Sequence, residues 1–444
     1  MGSTEKIARF VVDFDFSKLP ASGMEQIKLS ILDTLGVALV GAKGHIGAIM
    51  SDFVKETGGN PQARLIGSGI RTSVINAALA NGTMAHAEDY DTMPHCGVVL
   101  VPTALALGEE LKLSGKKVLE AYAVGFEVGH RMRGLGAIAE AGFHSTSLLY
   151  TMGGAAEAGK LLGLDVDQTR AALGIAASLA SGIMQNFGTD AKALHGGHAA
   201  RSGIEAALLA KKGFTGDPDV LEGPKGFFYV FGQEQADIKR VTENLGKSLA
   251  IAESNLFFKV WPNCGANHGP LTAIFLLIEK YDIKPEQVNG IEVVTFSKPP
   301  GALLRNNPQR GFEGKFSLQY NMATALVDRK VDLNSYTDEK LARPLIQDLM
   351  KKVTVVQDPE MVDLPLRLQG EGDFFIVTLK LKDGQVLSQR EGRGRQLQRE
   401  EIYAKYRENA KIGGIAVNKI ERSIELIKGL ENLKDVTELM DAVS

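Results

Sequence analysis

From its start to about residue 257 the chain shows a succession of helical patterns. This succession is the feature that most restricts the folds that the chain can adopt. Pro102 is predicted to open a helix, because its missing N–H is unpaired in a first turn anyway. Ala63 to Ile66 is a short strand-like interruption. Apolar residues recur at helical spacing, ended by glycine or polar residues, over 22–42, 46–57, 73–87, 114–130, 145–163, 166–181 and 197–213.

The pattern changes after Trp261-Pro262. Strand-like segments at 374–381 and 386–389 flank Asp383-Gly384, a hairpin signal. Two more strands are predicted at 288–296, before Lys298-Pro299-Pro300, and at 353–356, with helices at 267–281, 316–327 and 338–351. We therefore expect a small antiparallel sheet in an α+β domain.

Charged, helical sequence returns at Gln398 and is expected to pack back on the first domain. The prediction is a mainly α fold, a large all-helical domain with an inserted smaller α+β lid domain. Its parts are helical residues 1–260, lid residues 261–397, and returning helices 398–444.

Composition excludes several classes of protein. A net charge of −3 offers no basic face for nucleic acid. Two cysteines exclude a disulfide framework and an iron–sulfur cluster held by one chain, and they fit the reducing cytoplasm. No apolar stretch reaches the roughly 20 residues that span a membrane, and the N-terminus has no signal-peptide pattern.

Most of the histidines are concentrated in four short polar stretches. Six of the eight (His86, His95, His144, His195, His198, His268) lie in or beside residues 85–97, 142–146, 192–198 and 259–264. Because imidazole titrates near neutral pH, this concentration predicts an active site with acid–base chemistry.

Several of the polar residues in these stretches are expected to have structural roles and not catalytic ones. Asp91 is expected to cap a turn, His86 to be a core histidine, and His198 to lie at a helix start. A metal ion is not expected, since the HGGH run lacks a third ligand at helical spacing and the Asp89-x-Asp91 pair lacks a phosphate-binding loop. Cys96 is expected to be a buried apolar residue and not a nucleophile.

With these stretches in view, the chain resembles the MmgE/PrpD family, which includes 2-methylcitrate dehydratases, cis-aconitate decarboxylases and iminodisuccinate epimerases. The resemblance covers almost the whole chain and rests on AHAEDYDT, GFHSTS, NFGTDAKALHGGHAARSGIEAALLA, GFTGDPDVLEGPKGF, KVWPNCGANH and FSLQYNMATAL, in that order. It implies a helical domain with an α+β lid, no metal or organic cofactor, and a homodimer. The loop between Asp89 and His95 is shorter than in the decarboxylases and lacks one aspartate.

The resemblance implies a set of site residues. Asp89, His95, His144 and Tyr320 are expected to be catalytic, with Thr92, Lys192 and Lys259 binding substrate. Lysines suit a di- or tricarboxylate, and two imidazoles suit proton transfer at a carbon beside a carboxylate. The site is expected between the helical domain and the lid.

An enolate-like intermediate is common to three reactions. Loss of hydroxide gives a dehydratase, which is the first expectation. Loss of CO₂ gives a cis-aconitate-type decarboxylase, and reprotonation on the other face gives an iminodisuccinate-type epimerase. A non-catalytic member of the family that binds a carboxylate is the alternative outside the enzymes.

Overall fold

The structure is a computed structural model, and it describes residues 1–136, 138, 141–232, 236–253, 256–295, 303–357 and 374–444. Two compact units divide the chain, the first comprising 1–183, 190–258 and 398–444 and the second 184–189 and 259–397. Within the described residues no single helix has the length and hydropathy of a membrane span, although the bent pair Ala21–Lys43 and His45–Thr57 meets both criteria together.

The first unit is built of helices around a 23-residue central helix, α2, whose middle is buried all round. Ser73, Ser114 and Asp165 are N-caps, each accepting a backbone N–H in the first turn of the helix that follows. Its elements are α1 Ser3–Asp13, α2 Ala21–Lys43, α3 His45–Thr57, β1 Ala63–Arg64, β2 Arg71–Thr72, α4 Val74–His86, α5 Gly97–Glu110, α6 Gly115–Arg131, α7 Ser145–Leu162, α8 Val166–Leu179, α9 Asp190–Lys211, α10 Phe227–Gly232, α11 Ile238–Thr242 and α12 Ala250–Glu253.

Two predicted helix starts in this unit are wrong. Helix α5 begins at Gly97, so Pro102 lies inside it; only the backbone bond to Val98, four residues earlier, is lost. Helix α9 begins at Asp190, where an acidic residue suits the positive helix end, so His198 lies in its middle.

Helices α4 and α9 approach each other through glycine. A Cβ atom on Gly82 would lie 2.7 Å from the Cα atom of Gly197, so a side chain on either helix would force them apart. This close packing brings the first turns of α9 beside the C-terminal end of α4. The loop of residues 87–96, called the histidine-rich loop below, begins there.

The second unit contains a four-stranded sheet, in the order β4-β3-β5-β6. The Asp383-Gly384 hairpin is present, with Gly384 at a φ of 91°. Strands β3 and β4 run parallel, so the sheet is mixed and the antiparallel prediction is wrong for this pair. The elements are α13 His268–Tyr281, β3 Val288–Thr295, α14 Leu318–Asp328, α15 Asp338–Leu341, α16 Pro344–Lys351, β4 Val353–Gln357, β5 Phe375–Leu381 and β6 Val386–Glu391.

The helix predicted at 338–351 is two helices, because Pro344 holds Arg343 in an extended conformation. The last predicted residue of the first strand, Phe296, and the segment Lys298-Pro299-Pro300 lie outside the described residues. Three C-terminal helices belong to the first unit, namely α17 Arg399–Ile412, α18 Val417–Lys428 and α19 Thr437–Ala442. A lid role for the second unit stays a prediction.

Glu157 on α7 gives a testable pH dependence of stability. Its carboxyl group is fully buried, and neither oxygen has a hydrogen-bond partner among the described residues. Burial raises the pKa of Glu157 well above its usual range. The unfolded chain therefore releases this proton near pH 4.5 and the folded chain does not, so stability falls as pH rises, by about 1.4 kcal/mol per pH unit.

Glu157→Gln removes this proton and is expected to flatten the dependence. The measurement is the free energy of unfolding in urea between pH 5 and pH 7, with Glu205→Gln, on the partly exposed side of α9, as the control. An equal pH dependence in Glu157→Gln and wild type would show that Glu157 ionises in the folded protein.

Candidate active site

The histidine-rich loop joins α4 to α5 and has an unusual backbone. Asp89 and His95 have φ values of 49° and 66°, in the left-handed region that non-glycine residues seldom occupy. Met93 pairs with Phe257 as an isolated antiparallel bridge, which fixes the middle of the loop. Such conformations persist only where surrounding contacts impose them, and they are common at functional sites.

Asp91 lies at the centre of the loop's hydrogen bonds. One carboxylate oxygen is 3.0 Å from Nδ1 of His86 and the other is 2.6 Å from Nδ1 of His95. Burial would raise the pKa of Asp91, but the attraction of the two imidazoles outweighs it and holds that pKa well below its usual range. The expectation that Asp91 only caps a turn is wrong, because it is fully buried and joins two imidazoles.

His86 is fully buried and hydrogen-bonded, as expected of a core histidine, and it also belongs to this group. Its ring lies 4.9 Å from the ring of His95 and stacks at 5.8 Å on that of His144. Burial, with the ammonium of Lys192 nearby, lowers the pKa of His86 to about 3. The ring is therefore neutral near pH 7, with its proton on Nδ1 facing Asp91.

Of the imidazoles of His86 and His95, that of His95 is better placed to exchange a proton. Its side chain is 17% exposed, whereas that of His86 is completely buried. Its Nδ1 donates to the ionised Asp91, and its Nε2 lies on the other side of the ring. An imidazole held in this way by a carboxylate can give a proton to a reacting group and take it back.

Lys192 is buried and is not a surface lysine. Its ammonium lies 2.6 Å from Oδ1 of Asp89 and 3.5 Å from Nδ1 of His86. Asp89 also approaches His95, with its Oδ1 atom 3.9 Å from Nε2 of that ring. Asp91 thus hydrogen-bonds two imidazoles, and Asp89 pairs with Lys192.

His144 lies just before α7 and contacts a histidine that we did not predict for the site. Its Nδ1 is 3.0 Å from Nδ1 of His195, on α9. Burial lowers the pKa of His144 well below its usual range, and burial with Lys192 lowers that of His195 to about 4. Both rings are therefore neutral near pH 7, and one proton is shared between the two nitrogens.

Thr92 is held by the first unit's own residues. Its hydroxyl donates to Oδ2 of Asp33 at 2.6 Å, and its backbone N–H donates to the same oxygen at 2.9 Å. Asp33 in turn pairs at 2.8 Å with Lys405 from α17, and the Lys405 ammonium also donates to the carbonyl of Tyr90. All three side chains are buried, so this network fixes the loop.

Two family models together match most of this chain. The MmgE/PrpD N-terminal domain matches residues 5–239, and the MmgE/PrpD C-terminal domain matches residues 261–431. The chain belongs to the MmgE/PrpD family.

Relatives of this MmgE/PrpD chain are named as enzymes. Cis-aconitate decarboxylase of Homo sapiens is 30% identical over 98% of this chain and 93% of its own length. The same enzyme of Aspergillus terreus is 28% identical, over 100% of this chain and 96% of its own length. The mitochondrial 2-methylcitrate dehydratase of Yarrowia lipolytica is 23% identical, over 87% and 79%.

Two predicted residues of this MmgE/PrpD chain belong to the second unit. Lys259 is buried there. The hydroxyl of Tyr320, also buried, donates to the backbone carbonyl of Ser335, and burial raises the Tyr320 pKa. Roles for both residues in substrate binding or catalysis stay predictions.

Cys96 lies in the first unit, beside His95 in sequence. It is buried, and burial raises the pKa of its thiol to about 12. A thiolate nucleophile at neutral pH is therefore excluded, as expected from the sequence.

Sequence reasoning missed the roles of five residues of the first unit, namely Asp33, His86, Asp91, His195 and Lys405. One signal was available for His195. It lies three positions after Lys192 on one helix, so both side chains point to the same face.

Proposed function

We propose that this chain is a lyase that removes CO₂ from cis-aconitate or a closely related unsaturated tricarboxylate. The observation that carries the proposal is the Asp91–His95 pair, a proton-donating imidazole held by an ionised carboxylate. Named cis-aconitate decarboxylases that align with nearly all of the chain support the choice of reaction.

The reaction needs one proton donor. When the carboxylate on the saturated carbon leaves as CO₂, its electron pair moves into a new carbon–carbon double bond. The original double bond shifts its electrons to the far carbon, beside another carboxylate. That carbon takes one proton, so a trianion and a proton give CO₂ and the dianion of methylidenesuccinate.

The residues of the first unit suit these steps. His95 gives the proton from Nε2, while Asp91 stays ionised and stabilises the imidazolium before transfer. His144, neutral and buried, donates a hydrogen bond to the carboxylate where charge develops. Lys192 supplies a buried positive charge for a substrate carboxylate.

The remaining site residues hold this arrangement in place or bind substrate. Asp89 holds Lys192, and Thr92 places the loop through Asp33. Lys259 is proposed to bind a second substrate carboxylate, and Tyr320 to donate a hydrogen bond or proton.

Dehydration of 2-methylcitrate is the second candidate. It needs a base to take a proton from carbon and an acid to release hydroxide, and two imidazoles, His95 and His144, are present in one cluster. The named dehydratase among the relatives favours this reaction. The assay described below has two further possible outcomes. One is epimerisation of an iminodisuccinate-type acid, and the other is carboxylate binding without turnover.

No metal ion takes part in the proposed reaction. His86, Asp89, Asp91 and His95 place ligand atoms within 4.8 Å of one another, which is a possible metal-binding group. However, the Lys192 ammonium contacts two members of this group and already supplies positive charge. A dicationic metal beside it would meet strong repulsion.

We expect turnover of cis-aconitate to be unchanged after dialysis against EDTA. The assay is proton NMR of cis-aconitate, 2-methylcitrate and a substituted succinate, each with enzyme that was or was not treated with EDTA. A methylidene signal with release of CO₂ supports decarboxylation, and a vinyl signal from 2-methylcitrate supports dehydration. Activity that EDTA abolishes and zinc or magnesium restores would contradict the metal-free proposal.

We also propose that the protein is a cytoplasmic homodimer. This rests on the family and on the low number of cysteines. Sedimentation equilibrium tests it, since a single species near 47.7 kDa would contradict the dimer.

A further inference from the structure

We propose that His195 is a positioning residue that donates its Nδ1 proton to His144 and so holds His144 as the neutral tautomer with its proton on Nε2. This rests on the proposed function, because it gives His144 the donor that faces a substrate carboxylate. The observation behind it is the 3.0 Å separation of the two Nδ1 atoms.

Only one proton fits between two imidazole nitrogens at this distance. If both rings carried a proton on Nδ1, the two N–H groups would point at each other. If neither did, the two lone pairs would face each other without a bond. The shared proton is therefore carried either by His144 or by His195. Each of these two arrangements determines whether Nε2 of His144 is protonated.

The two histidines are held in place through their backbones. The His144 N–H donates to the carbonyl of Gly182 at 3.0 Å, and the hydroxyl of Ser147 donates to the carbonyl of His195 at 3.2 Å. A Cβ atom on Gly182 would lie 3.4 Å from Cγ of the His195 ring, so the backbone of Gly182 packs closely against that ring. These contacts hold the two backbones in place, and Gly182 limits movement of the His195 ring.

The charges around His144 favour its neutral form. Lys192 contributes a positive charge, and His86 and His95 face His144 from the α4 end and the loop. Lys192 and His198, both on α9, act on His195. In addition, His144 precedes the first turn of α7, where the helix dipole is positive.

A neutral His144 cannot be a strong acid, so its useful group is an N–H donor. The donor must be Nε2, because Nδ1 is engaged with His195. For Nε2 to carry the proton, Nδ1 of His144 must accept, and His195 must donate. His195 thereby acts on the reaction through His144, and needs no contact with the substrate.

The test is nitrogen NMR of the full chain labelled with ¹⁵N-histidine, together with kinetics on cis-aconitate. In wild type we expect a protonated Nε2 and an unprotonated Nδ1 for His144, assigned from the His144→Gln spectrum. In His195→Ala we expect mixed tautomers and a loss of kcat of about 10- to 100-fold, since small errors of placement carry costs of this size. The KM is expected to stay within about threefold, because binding is retained.

His195→Asn separates positioning from a merely structural role. Its side-chain amide can still donate toward Nδ1 of His144, so we expect the wild-type tautomer and most of kcat. Leu194→Ala, at an exposed position of α9 next to His195, is the matched control and should have wild-type rate and spectrum. Circular dichroism checks the fold of each variant.

Three results would overturn the proposal. One is a proton on Nδ1 of His144 in wild type, another is an unchanged tautomer and rate in His195→Ala, and the third is a loss in His195→Asn equal to that in His195→Ala. If wild type turns over none of the acids, the proposed function fails, while the NMR comparison still decides the role of His195.

Discussion

Asp91→Asn, which preserves the shape of the side chain, is expected to lower kcat by about 10²- to 10⁴-fold. The carboxylate accepts from Nδ1 of both His86 and His95. An amide has one oxygen and one NH₂ group, so it can accept from only one of them and must donate to the other. One imidazole is then forced into the opposite tautomer, and the negative charge that stabilises an imidazolium is lost.

The measurement is kcat and KM for cis-aconitate, with thermal unfolding as a check of the fold. Asp167→Asn, at an exposed position in the first turn of α8, is the matched control and should keep the wild-type rate. A rate in Asp91→Asn within threefold of wild type would remove Asp91 from the mechanism.

Lys405→Met is expected to have the largest effect on stability, a loss of about 3–5 kcal/mol in the free energy of unfolding. The Asp33 carboxylate is fully buried, and Lys405 is its cationic partner at 2.8 Å. Methionine fills the space of the lysine stem but leaves that carboxylate uncompensated. Lys405 also donates to the carbonyl of Tyr90, and its ammonium lies over the Tyr90 ring. The substitution therefore removes contacts that fix the histidine-rich loop, so kcat should fall too.

Urea unfolding of Lys405→Met measures this loss, with Lys411→Met on the exposed side of α17 as the control. The double variant Lys405→Met/Asp33→Asn should recover part of the stability, since it removes the buried charge as well. Equal stability of Lys405→Met and Lys411→Met would show that the ion pair contributes nothing.

The secondary structure could be predicted where the local sequence decides it. Ser73, Ser114 and Asp165 cap the helices that follow them, and Asp383-Gly384 forms the predicted hairpin. The predictions were wrong where tertiary packing decides. A helix tolerates Pro102 in its interior, and β3 pairs with β4 in parallel although both belong to a mostly antiparallel sheet.

The residue types of the site could be predicted, but their partners could not. Asp91 and His95 lie four positions apart, on a loop in which Asp89 and His95 adopt left-handed backbone conformations that the sequence did not predict. Lys192 reaches Asp89 because α4 and α9 pack closely through glycine. Such contacts between distant parts of the chain have no local sequence pattern, and the pair of Asp33 with Lys405 is the extreme case.

The most direct test of the account is conversion of cis-aconitate in D₂O by wild type and by His95→Gln, followed by proton and carbon NMR. The account predicts that wild type releases one CO₂ and forms methylidenesuccinate with one deuterium on its saturated carbon. His95→Gln, folded as judged by circular dichroism, is predicted to be slower by about 10²- to 10⁴-fold, because the acid is absent. Unchanged cis-aconitate with wild type, or equal rates in the two proteins, would contradict it.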